Sequence, residues 1–155
     1  MKITDIKIDV VKRELPDTGL NSDLGRFFGE VDQGVLRIFT DEGIEGNCFV
    51  GEFRNGGESL YHPILKVLKT ELVGSDPSER EFLWNRLRLL TSRRGMSMSA
   101  WAPVDVALWD IQGKAAGMPV FKLLGTQRYE IEPYATYPPR HTSYKGYVEE
   151  AKEIV

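Results

Sequence analysis

The residue types that do chemistry are sparse in this sequence, and each has a structural explanation in its own neighbourhood. The one cysteine, Cys48, falls in a run that reads as a β-strand, where a small thiol serves as core filling. A single thiol also excludes an internal disulfide framework and fits a reducing compartment. Of the two histidines, His62 precedes Pro63 at a helix start, and His141 lies in the loop Pro138-Pro-Arg-His-Thr-Ser143. Each reads as an exposed or capping histidine rather than a general base. Asp105 and Asp110 share a helix, where they separate two apolar stripes and read as pairing or capping groups. Glu130 and Glu132 flank a short β-prone run.

Bulk properties narrow the classes. A chain of 155 residues, 41% hydrophobic and 28% charged, has the balance of an ordinary soluble globular protein and can bury a core without staples. The net charge of −3, with both signs interspersed, gives no basic field for nucleic acid or a membrane surface. The start, Met1-Lys-Ile-Thr-Asp-Ile, alternates charge and apolarity and is no signal peptide. No apolar run approaches the ~20 residues that a membrane-spanning helix needs. A cytoplasmic location is expected.

The elements that must position any site follow from periodicity. Ile6, Ile8 and Val10 alternate with Lys7 and Asp9, as in a half-buried strand. Pro16 to Gly29 break the pattern with Pro, Asp, Gly, Asn and Ser, and a loop of that length in a compact domain is functional or disordered. Its Phe27-Phe28 pair is unusual for a solvated loop. Gln33 to Thr40 and Ile44 to Val50 read as strands joined by the hairpin turn Asp41-Glu42-Gly43. The first fifty residues therefore form a three-stranded antiparallel meander, followed by a second loop, Gly51 to Gly57, which carries Arg54.

Helices come next. Leu60, Ile64, Val67 and Leu68 share one face. Asp76-Pro-Ser-Glu79 is a start signal, with Asp76 as cap and Glu79 at the capping-box position; Phe82, Leu83, Arg86, Leu87 and Leu90 follow. The third long helix, with Pro103 in its first turn, carries two stripes. Trp101, Val104, Leu108, Ile111 and Ala115 form one; Ala102, Val106 and the small Gly113 form the other. A helix packed on two sides is implied, closed by Gly117 and Pro119. Beyond Gly125, Ile131 to Tyr137 read as a strand and Tyr144 to Val155 as an amphipathic helix. That is a single β/α unit, which cannot close a barrel alone, so the chain reads as part of a longer protein.

The stretches Gly34-Val-Leu-Arg-Ile-Phe-Thr-Asp-Glu-Gly-Ile-Glu-Gly46, Leu72-Val-Gly-Ser-Asp-Pro77 and, above all, Val104-Asp-Val-Ala-Leu-Trp-Asp-Ile-Gln-Gly-Lys-Ala-Ala-Gly-Met-Pro-Val-Phe-Lys-Leu-Leu-Gly125 resemble the N-terminal part of an enolase-superfamily enzyme of the mandelate racemase/muconate lactonizing enzyme type. The resemblance implies an α+β capping domain over residues 1–125, a three-stranded meander followed by a helical bundle. Residues 126–155 would then be the first β/α unit of an incomplete, TIM-like (β/α)7β barrel. The two-faced helix would lie between the capping layer and the barrel.

The chemistry implied by the family is abstraction of the proton α to a carboxylate, with Mg2+ stabilising the enediolate. The bases and metal ligands of such enzymes sit on later barrel strands, so no residue of this chain is assigned as catalytic or as a metal ligand, and the segment alone is expected to be inactive. What the family places in this half is substrate selection. Pro16 to Glu30 and Gly51 to Gly57 would fold over the barrel mouth. Phe27 and Phe28 would form an apolar lid, and Arg26 or Arg54 would meet a carboxylate or hydroxyls. Tyr137, at the end of the first barrel strand, would point at the catalytic face. The hydrophilic loop residues Asp17, Asn21, Asp23 and Arg26 favour a hydroxyl-rich acid-sugar substrate and hence a dehydratase. A racemase, epimerase or cycloisomerase of a smaller carboxylate is the alternative enzyme. A stand-alone, non-catalytic α+β binding module is the alternative outside enzymology. The expected partners are the substrate, the C-terminal barrel domain and further copies of the chain in a homo-oligomer.

Overall fold

The computed structural model describes residues 1–15, 29–51, 56–134, 141 and 143–154. They divide into two compact units, residues 1–12 with 32–126, and residues 13–31 with 127–155.

The sheet has the order β1-β2-β3, with β1 at Ile3–Leu15, β2 at Gly29–Thr40 and β3 at Glu45–Val50. β2 and β3 run antiparallel, in a register that sets Gly34 opposite Val50 and Phe39 opposite Glu45. The hairpin between them turns at Gly43, whose φ of 77° suits a residue without a Cβ. Along β2, Gly34, Leu36, Ile38 and Thr40 alternate inward, as a sheet with one covered face requires. In β1 the alternation slips: Ile3 and Ile6 are both buried, and Val10 is half exposed.

Helices cover the inner face. α1 (Glu58–Pro63) passes through a π turn at Ile64–Leu68 into α2 (Lys69–Leu72). Pro63 supplies no N–H, and the wider turn begins one residue later. α3 spans Arg80–Arg94, α4 Met98–Ala115 and α5 Val120–Leu123. Ile64, Leu68 and Leu72, then Leu83 and Leu87, then Trp101, Val104, Ala107, Leu108 and Ile111 join Ile3, Ile6, Leu36, Ile38 and Val50 in one core. Each such Leu, Ile or Val side chain, fully buried, contributes about 1.5–3 kcal/mol.

Three local expectations change. α3 starts at Arg80, not beside Asp76, and Glu79 makes no side-chain cap. Asp76 instead spends its carboxylate on the Ser78 N–H at 2.9 Å and hydroxyl at 2.7 Å, so the Asp-Pro-Ser-Glu signal builds a turn ahead of the helix. α4 starts upstream at Met98, with the Ser97 hydroxyl accepting the Ser99 N–H at 3.1 Å, which puts Pro103 in the second turn. Phe82 and Ala115 are exposed rather than part of an inner face. The closure of α4 is as expected. Gly117 takes a φ of 60°, the Met118 N–H reaches the Gly113 carbonyl at 2.9 Å and the Gly117 N–H reaches that of Lys114 at 3.2 Å, the paired bonds of a Schellman end.

The second unit contains α6 (Tyr144–Ile154). Residues 131–134, expected to begin a strand, carry no strand here, and Ile131 and Tyr134 are largely exposed. A strand exists only with a neighbour to bond to, and none of the described residues pairs with this stretch. No helix among the described residues is long and apolar enough to cross a membrane.

Candidate functional site

The expected site residues Arg26, Phe27, Phe28, Arg54 and Tyr137 all lie outside the described residues. What the structure gives is the sheet end that borders the segments of Arg26, Phe27, Phe28 and Arg54 in the chain. The chain enters β2 and leaves β3 at the same end of the ladder, where Gly34 pairs with Val50. Residues 16–28 lead into that end, and residues 52–55 lead out of it. The hairpin at Gly43 is at the other end.

This end is built for close approach of backbone. A Cβ on Gly34 or on Gly57 would stand 2.7 Å from the Tyr61 ring, so the two glycines make the seat for that side chain. The Asp32 carboxylate accepts the Gly57 N–H at 3.3 Å. The Tyr61 hydroxyl is buried without a well-formed hydrogen bond; burial, and then the Asp32 carboxylate beside it, push the phenol up to about 12.

The acidic residues of α4 pair as the sequence indicates. Asp105 accepts from the Arg80 guanidinium at 3.1 Å, and Arg80 stacks on the Trp109 ring at 3.4 Å. Asp110 accepts from the Asn47 backbone N–H at 2.8 Å and from Lys114 Nζ at 2.6 Å. Lys114 also donates to the Glu45 carbonyl at 2.7 Å and the Asn47 side-chain oxygen at 3.0 Å. The network continues over the sheet. Asn47 Nδ2 donates to Glu45 at 2.6 Å, Arg37 forks onto Glu45 at 2.6 and 2.8 Å, and Arg37 reaches Asp9 at 3.2 Å. Bonds from Arg37 and then Asn47 hold the Glu45 carboxyl down at about 2, and Arg37 is raised well above the usual range. These carboxylates are fully used in holding strands and helix together.

Cys48 is half-buried, and burial, then the nearby Asp110 charge, raise its thiol, which disfavours the reactive thiolate. In the second unit, His141 Nε2 lies 2.7 Å from Glu150 Oε2, and its ring meets Tyr147 edge-on at 4.8 Å. Sequence reading missed this pairing, since it depends on where His141 lies against α6. Mg2+ calls for hard oxygen ligands in an octahedral set. Among the described residues, no three His, Cys, Asp or Glu gather closely enough to hold a metal ion, so these residues do not fit a metal centre.

The outer side of α4 stays open. Ala102 is exposed and Val106 is 51% exposed. Asn47, Val106, Trp109, Asp110, Lys114, Val120 and Leu124 line a groove of about 620 Å³. The second, small-residue stripe is thus real for Ala102 and Val106, whereas Gly113 turns inward, with the Met118 carbonyl and Val120 where a Cβ would go.

Comparison with known proteins assigns the fold to a family. Residues 29–125 match the family described as mandelate racemase / muconate lactonizing enzyme, N-terminal domain. The chain is 34% identical over 105 residues to L-talarate/galactarate dehydratase of Salmonella typhimurium, covering 66% of this chain and 26% of that protein. It is 46% identical over 95 residues to a D-galactonate dehydratase family member of Pseudarthrobacter chlorophenolicus, covering 59% of this chain and 22% of the relative. A solved enolase-superfamily member from Polaromonas sp. JS666 superposes with a TM-score of 0.82 at 30% identity, covering 99% of this chain and 41% of that one. The Salmonella dehydratase, solved with Mg and L-lyxarohydroxamate, superposes with a TM-score of 0.66 at 27% identity, over 82% of this chain and 34% of that one. The matched part of this chain spans about a quarter of the length of these curated relatives. The chain belongs to the mandelate racemase / muconate lactonizing enzyme family, and its meander and helices are the capping domain of the enolase superfamily.

Proposed function

We propose that this family member is the substrate-selecting part of a Mg2+-dependent enzyme that abstracts the proton α to a carboxylate, and that the complete enzyme dehydrates an acid sugar. The observation that carries the reading is the shared departure point of two segments. β2 is entered and β3 is left at the Gly34–Val50 end of their ladder, and in our reading the segments that join the strands there are the ones that reach the barrel mouth. The relatives named as acid-sugar dehydratases support the substrate class.

The α-proton of a carboxylate is weakly acidic, and a bound divalent cation lowers the cost of the charge that develops when it leaves. The base and the metal ligands belong to later barrel strands. The share of this chain is contact and exclusion. Arg26 and Arg54 meet substrate carboxylate or hydroxyls, Phe27 and Phe28 keep water from the reacting carbon, and Tyr137 contributes from the first barrel strand. The exposed Val106 face of α4 packs against the barrel. We read the whole as a cytoplasmic homo-oligomer, which sedimentation of the complete protein tests.

The deciding experiment assays the complete enzyme on a panel of acid sugars with and without a chelator, and titrates this 155-residue chain with Mg2+ by calorimetry. Chelator-sensitive loss of water with α-proton exchange, and no stoichiometric Mg2+ site on the chain alone, are expected. Turnover that survives chelation, or a stoichiometric site within the chain, overturns the assignment.

A further inference from the structure

Glycines and one carboxylate make a neck at the site end of the sheet. Gly51 has a φ of 117° and Gly56 a φ of 67°, both costly for an L side chain. A Cβ on Gly51 would stand 2.8 Å from the Gly56 carbonyl carbon and 2.8 Å from the Gly57 nitrogen. The two ends of segment 51–57 therefore cross at backbone contact. A Cβ on Gly56 would run into the Asp32 side chain and stand 2.7 Å from the Asp32 carbonyl oxygen. The same carboxylate accepts the Gly57 N–H, and the Tyr61 ring closes the far side by resting on Gly57 and Gly34. Asp32 is thus the one side chain of β2 that touches both Gly56 and Gly57 through the contacts described.

We propose that Asp32 is a positioning residue for substrate selection: by accepting the Gly57 N–H and packing against Gly56 it ties the neck to β2 and fixes its Gly56 side. Asp32 touches no substrate and acts through the neck alone. Its consequence for catalysis rests on the acid-sugar reading above; the neck itself does not.

The test compares Asp32→Ala and Asp32→Asn with the parent, in this chain and in the complete enzyme. Asp32→Ala removes one hydrogen bond worth about 1 kcal/mol, so Gly57 amide exchange rises roughly fivefold, while core amides such as those of Leu36 and Leu108 hold. In the complete enzyme KM for the preferred acid sugar rises by a similar factor and kcat stays, the signature of lost uniform binding. Asp32→Asn keeps an acceptor for Gly57 and restores both readouts. Unchanged Gly57 exchange in Asp32→Ala overturns the inference. So does a fall in kcat and melting temperature with KM and substrate ranking intact. If the parent enzyme turns over no acid sugar, the dehydratase reading fails and Gly57 exchange alone decides the neck.

Discussion

Asp110 accepts the backbone N–H of Asn47 at 2.8 Å across 63 residues of sequence, and so closes the outer edge of β3 with a side chain from α4. Together with Lys114 on the Glu45 carbonyl, it occupies edge groups that would otherwise be free to pair with another strand. Asp110→Ala should cost about 1–3 kcal/mol, because it leaves the partly buried Asn47 N–H without its acceptor. Urea unfolding measures this. Asp110→Asn should lose less, and equal losses in the two variants would show that the acceptor is not the stabilising feature.

Gly46 lies where β3 meets α4. A Cβ there would overlap the Ala107 carbonyl oxygen and stand 2.6 Å from the Ile111 side chain. Gly46→Ala should destabilise by about 1–3 kcal/mol through overpacking, seen as a lower melting temperature. Gly43→Ala is the contrast: nothing crowds that position, and the penalty comes only from its positive φ. A Gly46→Ala protein as stable as the parent would refute the close sheet–helix contact.

Glu45 sets an acid limit. Its carboxyl titrates at about 2 in the folded protein against an ordinary value of 4.5. A carboxyl depressed on folding stabilises above its unfolded value, and that contribution is lost as pH falls from about 4.5 towards 2. Glu45→Gln should flatten the stability profile through that window and change little near neutrality in slope. Because Arg37 and Glu45 are partly exposed, salt should weaken the effect. A parent and variant with parallel profiles between pH 5 and 2 would sink the argument.

Phe27 and Phe28 lie outside the described residues, and their proposed lid role separates cleanly from a core role. Truncating a buried Phe costs about 3–5 kcal/mol. A lid pair changed to Ala should instead leave the melting temperature nearly unmoved, lower kcat/KM for the best substrate and reorder the acid-sugar panel. A collapsed melting temperature with an intact ranking places both rings in the core.

Short-range pattern sufficed for the meander, the Gly43 hairpin, the buried stripe from Trp101 to Ile111 and the glycine stop of α4, because each follows from alternation, helical period or a positive φ within a few residues. Asp105 and Asp110 were legible as structural for the same reason: their spacing put them between two apolar stripes. The helix starts were not legible. Asp76 accepts both the N–H and the hydroxyl of Ser78, which closes a turn there and moves the first helical residue from Pro77 to Arg80.

What the sequence determined by itself is therefore the order and type of the main elements from β1 to α4 and the family they belong to. Which groups meet was decided by tertiary structure alone. Asp110 with Asn47, Asp32 with Gly57, and Arg37 with both Glu45 and Asp9 join positions on different elements. Their distances are fixed by strand register, by the path of the backbone between elements and, for Asp110, by how far the helix slides along the sheet. Periodicity states which face of an element turns inward, but it carries no information about the translation that brings one particular carboxylate within reach of one particular N–H.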